Sequence, residues 1–179
     1  MILLTSGFPQ SGKTEFSRKL TSKISDAIHV DPKDLYLKEF DSLPGKMQSA
    51  VAISAWEMAL EQAYDHLMDE PNSTLIIFDT CCSNENTMRA LFTNARYHKH
   101  DVLYVFVEAL QEDRYSRASN MDTSQYESKY KSDFIRVLPV FKKLSDQFIR
   151  VTNNNDGGFE ELDKCVEMIA QDVEKTRSG

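Results

Sequence analysis

The run Gly7-Phe-Pro-Gln-Ser-Gly-Lys-Thr14 fits the spacing G-x-x-x-x-G-K-[ST] at every fixed position. The apolar stretch Met1-Ile-Leu-Leu leads into it, and behind it Phe16, Leu20 and Ile24 recur at helical spacing. A buried parallel strand, a glycine-rich turn and an amphipathic helix in that order leave few folds open. The glycines let the backbone curl so that successive N–H groups face one point, and the helix start adds its positive dipole end. Such a cradle takes phosphate. Gly7, Gln10, Ser11, Gly12, Lys13, Thr14 and Glu15 are the expected nucleotide-binding set, with Lys13 on the β- and γ-phosphates and the Thr14 hydroxyl on Mg²⁺.

The rest of the chain repeats the alternation. Ala27-Ile-His-Val30 reads as a second strand, and residues 47–68 as a helix carrying Val51, Ala55, Met58, Ala59, Ala63 and Leu67 on one side, halted by Pro71-Asn72. Leu75-Ile-Ile-Phe78 is a strand ending in Asp79; a helix over 84–98 follows, with Ser83 as its cap. A strand over 102–107, charged helices over 111–120 and 125–134, a strand over 148–151, a turn over 153–158 and a helix over 159–174 complete the order. This predicts an α/β fold of the P-loop NTPase type. Its doubly wound parallel sheet of five strands carries helices on both faces. No repeat or low-complexity tract divides it, so the expectation is one P-loop domain over 1–179.

Net charge is −7, which argues mildly against a nucleic-acid packaging protein. Residues 91–150 hold 10 basic and 8 acidic groups and form the net-positive third, the segment best suited to grip an anionic substrate. No apolar run approaches the roughly 18 residues of a membrane span. Residues 1–6 are too short for a secretory signal, so the chain is expected in the cytoplasm, with no membrane partner. The three cysteines include the adjacent pair Cys81 and Cys82; no Cys/His spacing suits zinc, and reduced thiols are expected. His98 and His100 flank Lys99 at a helix end, where cations suit the dipole; they are not read as a metal site. Trp56 sits at core spacing.

In doubly wound sheets the site lies beyond the carboxyl ends of the strands. The first strand delivers the cradle there, the second Asp31 with Asp34 a turn on, and the third Asp79. A phosphoryl-transfer site needs one carboxylate on the acceptor hydroxyl and another near the metal. Asp31 and Asp34 are the candidates for the first, and Asp79 for the second, alongside the acceptor. The plainer roles are a turn cap at Asp31, before Pro32, and a first-turn acid at Asp34. Arg114 and Arg117, three apart on one helix, are suited to stabilising charge on the nucleotide and the transferred phosphoryl. Their alternative is a solvated helix neutralised by Glu112 and Asp113. Arg89 is a candidate acceptor contact, or a surface ion pair.

These residues resemble the polynucleotide-kinase-like P-loop kinases, a family that includes the phage polynucleotide kinases and, more widely, zeta-toxin-like kinases. The resemblance lies in the form of Gly7 to Lys13, in Val30-Asp31-Pro-Lys-Asp34, in Ile76-Ile-Phe-Asp79-Thr80 with the following Asn84-Glu-Asn-Thr-Met-Arg89, and in Glu112-Asp-Arg114-Tyr-Ser-Arg117 with 126–134 after it. It covers about residues 1–140, and only the P-loop is sharply specific; it implies one P-loop kinase domain with a short helical lid at about 111–131. It implies ATP and Mg²⁺ as cofactors and transfer of the γ-phosphate to a hydroxyl. The acceptor implied first is a DNA or RNA 5′-end or a hydroxyl on a modified nucleotide. Lys13, Asp31, Asp34 and Arg117 would be catalytic. The family places an arginine three residues after its aspartate; here Leu37 follows Asp34 at that distance, and Lys33 or Lys38 would substitute without the bidentate fork. A further lid arginine of the family is matched by Asn120 and Met121. Two other readings stay open: a kinase of a nucleoside, sugar or antibiotic, and a non-catalytic nucleotide-binding switch that gates a partner.

Overall fold

The computed structural model describes residues 1–31, 34, 57–58, 61, 65, 75–79, 85–118 and 123–178. The expected helix over 47–68 lies mostly outside them, with Glu57, Met58, Glu61 and Asp65 helical where described. Lys33, Lys38, Leu37, Trp56, Cys81, Cys82, Ser83, Asn120 and Met121 also fall outside.

The five strands are β1 (Ile2–Ser6), β2 (Ile28–Val30), β3 (Ile76–Asp79), β4 (Val102–Glu108) and β5 (Gln147–Thr152). They form one sheet in the order β2-β3-β1-β4-β5, and every pair is parallel. The helices described are α1 (Lys13–Lys23), α2 (Glu85–Tyr97), α3 (Gln111–Arg117), α4 (Thr123–Leu144) and α5 (Gly158–Ser178).

Strand side chains alternate between faces, and because helices cover both faces the inner strands β1, β3 and β4 are buried nearly throughout, while the edge strand β5 keeps Gln147 and Arg150 exposed. Ile2, Leu4, Ile76, Phe78, Val102, Tyr104 and Phe106 pack with Leu91, Phe92 and Ala95 of α2 and with Phe134, Val137 and Phe141 of α4. Leu3, Ile77, Leu103, Val105 and Val107 turn the other way, onto Phe16 and Leu20 of α1 and Leu162, Val166 and Ile169 of α5. A layer of helices therefore lies on each side of a parallel sheet, the architecture expected from the alternation.

The segment after β4 departs from expectation. Helix α3 stops at Arg117, and α4 is one 22-residue helix running to Leu144 with Pro139 inside it, where a helix ending at Phe134 was expected. Phe134, Val137 and Phe141 keep helical spacing past that point and bury against the sheet, which outweighs the hydrogen bond Pro139 cannot donate. Among the described residues no helix is long and apolar enough to cross a membrane.

Candidate active site around the P-loop

Strand β1 ends at Ser6 in the middle of the sheet, so the loop that follows stands over the carboxyl ends of its neighbours. Both loop glycines are needed for space. A Cβ on Gly7 would lie 2.0 Å from the Val107 carbonyl oxygen, and one on Gly12 would lie 2.1 Å from Asn153 Nδ2. Gly12 has φ 97°, a left-handed conformation that L side chains resist, and Gln10 bears the same strain at φ 62°. Gly12 is also the N-cap of α1 and provides no side-chain cap, so the first N–H groups of the helix are left to an incoming anion. Lys13 Nζ donates to the Phe8 carbonyl at 3.1 Å, folding the lysine back over its own loop. These features fit the polyphosphate of a nucleotide.

The carboxylates expected at the strand ends divide. Asp79 is 3% exposed at the end of β3. The Thr5 hydroxyl donates to its Oδ1 at 3.4 Å, and its Oδ2 has no hydrogen-bond partner among the described residues. Burial pushes the Asp79 carboxyl up, but the His29 imidazole, the Lys13 ammonium and the Thr14 hydroxyl together outweigh burial and hold it below its ordinary value of 3.8. Asp31 is buried, one step beyond the last paired residues of β2 and β3, Val30 and Phe78. It comes together with Asp79 and His29. Asp34 does not join them: it is half-buried, and its carboxylate lies 3.9 Å from Arg18 on α1. A hard-oxygen donor set at Asp79 and Thr14 suits a divalent cation, which would offset charge on the phosphates when bound.

Arg117 reaches the loop from the far side. It donates to the carbonyls of Gln10 at 3.2 Å and Asn153 at 2.6 Å, and to Asn155 Oδ1 at 2.8 Å. Arg114 is buried, donates to the Ala109 carbonyl at 3.2 Å and stacks its guanidinium 4.6 Å from the centre of the Phe8 ring. Both arginines are thus tied to the loop, and the solvated-helix alternative does not describe them. Arg89 takes the plainer of its two readings, an exposed pair with Glu85 at 2.8 Å.

Two contributors were missed. Asn153, expected only as the start of a turn, is buried and donates from Nδ2 to the Ser11 carbonyl at 2.8 Å. His29, which the sequence marks only as a strand residue, has its Nε2 3.7 Å from Asp79 Oδ2. For His29 the signal was there: a polar residue two before Asp31 on a strand shares its face.

The profile of the family described as "Chromatin associated protein KTI12" matches residues 1–154. The chain belongs to the KTI12 family. No curated protein matches this KTI12-family chain significantly in sequence. Solved structures match it over nearly their whole length. Shikimate kinase from Acinetobacter baumannii, bound to shikimate, is 11% identical with a TM-score of 0.61, covering 96% of this chain and 93% of that one. Thymidylate kinase from Candida albicans is 16% identical with a TM-score of 0.61, covering 98% and 92%. The APS kinase of Mycobacterium tuberculosis, bound to AMPPNP and APS, is 13% identical with a TM-score of 0.57, covering 99% and 97%. At these identities the likeness concerns the fold, which this KTI12-family member shares with P-loop kinases.

Proposed function

We propose that the chain is an ATP- and Mg²⁺-dependent kinase, one P-loop domain over 1–179, that transfers the γ-phosphate to a hydroxyl. One observation supports this most: the P-loop stands over a buried carboxylate pair, Asp31 and Asp79, with Arg117 bonded to the loop's own backbone. In this reading Lys13 leaves the Phe8 carbonyl to meet the β- and γ-phosphates, and Thr14 with Asp79 organises Mg²⁺. Asp31 orients and deprotonates the acceptor hydroxyl, a role its burial beside Asp79 favours over Asp34. Arg117, with Arg114 behind it, steadies charge on the transferred group from the lid at about 111–131. Catalysis here is positioning plus charge stabilisation, so loss of a single member lowers turnover by orders of magnitude.

A nucleic-acid 5′-hydroxyl, or a hydroxyl on a modified nucleotide, is the acceptor to test first. The family's description names chromatin, which agrees with a nucleic-acid partner. Label from [γ-³²P]ATP should appear on 5′-hydroxyl DNA or RNA and vanish in Asp31→Asn. Absence of transfer to DNA, RNA and modified-base DNA would remove the nucleic-acid version. The charge of −7 favours a second reading, a kinase of a nucleoside, sugar or antibiotic, which a screen of small hydroxyl compounds for ADP release would detect.

A further inference from the structure

The pairing of β2 with β3 brings together three groups that the proposed kinase chemistry does not require as a set. His29, Asp31 and Asp79 each place a ligand atom within 4.8 Å of the others. Register explains why. His29 pairs with Ile77 and Val30 with Phe78, so Asp31 falls level with Asp79 at the next step, and His29, two back, projects to the same face as Asp31.

Two features of this cluster call for a cation. Asp79 is 97% buried, its exposure being 3%, and its Oδ2 lacks a hydrogen-bond partner among the described residues. The same holds for His29 Nε2, which faces that oxygen at 3.7 Å, too far for a hydrogen bond between them. With Nε2 deprotonated, a buried carboxylate oxygen and a buried imidazole nitrogen that share no short hydrogen bond turn two lone pairs toward one point. Asp31, buried just past the end of β2, adds a second negative charge to the same spot. The nearby ammonium of Lys13 is bonded to the Phe8 carbonyl and does not fill the gap.

We infer that His29, Asp31 and Asp79 form a binding site for a first-row transition-metal dication, distinct in chemistry from a magnesium site. Magnesium is held by oxygen and keeps most of its water, whereas one imidazole with two carboxylates suits Mn²⁺, Co²⁺ or Zn²⁺ and leaves coordination positions open. The site needs no nucleotide, but it shares Asp31 and Asp79 with the proposed kinase chemistry, so metal binding to the nucleotide-free chain, rather than turnover, tests it.

The test is a titration of the metal-free, nucleotide-free chain with Co²⁺, followed by visible d–d absorption, and with Mn²⁺, followed by calorimetry. One equivalent should bind, and excess Mg²⁺ should not displace it. His29→Ala and His29→Gln should weaken binding by at least the roughly 10–100-fold that loss of an outer-shell partner costs. Should either variant fail to fold, selective broadening of the His29 ring protons by substoichiometric Mn²⁺ in the unaltered chain reads the same contact. No one-equivalent binding, displacement by Mg²⁺, or unchanged affinity in a folded His29 variant would each overturn the assignment, as would His29 resonances untouched by Mn²⁺.

Discussion

Asp79 lives among opposing forces, and its titration gives a signed expectation. Its carboxyl is held below 3.8 in the folded chain. The ionised form therefore stabilises the fold at all pH values above the unfolded carboxyl, and that contribution drains away as pH falls through the folded value. Melting temperature followed from about pH 5 to pH 2 should drop less steeply in Asp79→Asn than in the parent. Arg117 offers a kinetic counterpart. With the proposed acceptor bound, Arg117→Ala should lower kcat by about 10²–10³-fold, the cost of losing one charge-stabilising donor. Single-turnover label transfer would measure it, and an unchanged rate would leave the lid without a catalytic role. At this scale the sequence was most legible where function is local. Gly7 to Thr14 is contiguous, and the strand, turn and helix around it follow from its neighbours. Which of Asp31 and Asp34 lies beside Asp79 was closed to it, because that is decided by β2 lying against β3.

Among the elements, the contact between the P-loop and the segment after β5 carries a measurable coupling. Asn153 supports the loop through its bond to the Ser11 carbonyl, and it occupies the space a side chain on Gly12 would need. Asn153→Ala should cost about 1–3 kcal/mol by leaving a buried carbonyl unsatisfied. Gly12→Ala should cost more, through collision and left-handed strain together. Since the collision disappears when Asn153 is truncated, the double variant should be more stable than the sum of the two by about 1 kcal/mol, within the range of coupled neighbours. Urea unfolding of the four proteins would give the value. Nothing in the string Asn153-Asn-Asn-Asp-Gly-Gly158 announced this, because turn-forming composition looks the same whether or not a side chain folds inward. The extent of α4 was hidden for another reason: Pro139 is a local stop signal overridden by packing of Val137 and Phe141.

For the molecule as a whole, the strand and helix order was readable because two-sided burial makes each strand of a parallel sheet a short apolar run. Strand order was not, since β1 lies between β3 and β4, and its partners arrive from distant parts of the chain. Charge sets a further expectation. A chain of net charge −7 cannot hold a polyanion by bulk attraction, so an oligonucleotide acceptor would be gripped at its end by a few groups. The logarithm of apparent affinity for a single-stranded 5′-hydroxyl oligonucleotide should then fall against log salt with a slope of about −1 to −2, as for two or so phosphate contacts. A steep slope would mean an extended nucleic-acid track.

One guanidinium, that of Arg117, bonds to the Gln10 carbonyl on one side and to Asn153 and Asn155 on the other. Three segments remote in sequence thus meet on a single planar cation. Helix α3 cannot lift without releasing the P-loop and the asparagine turn in the same event. Their slowly exchanging amides should therefore trade hydrogen for deuterium on one shared clock, and a bound nucleotide should slow all three together.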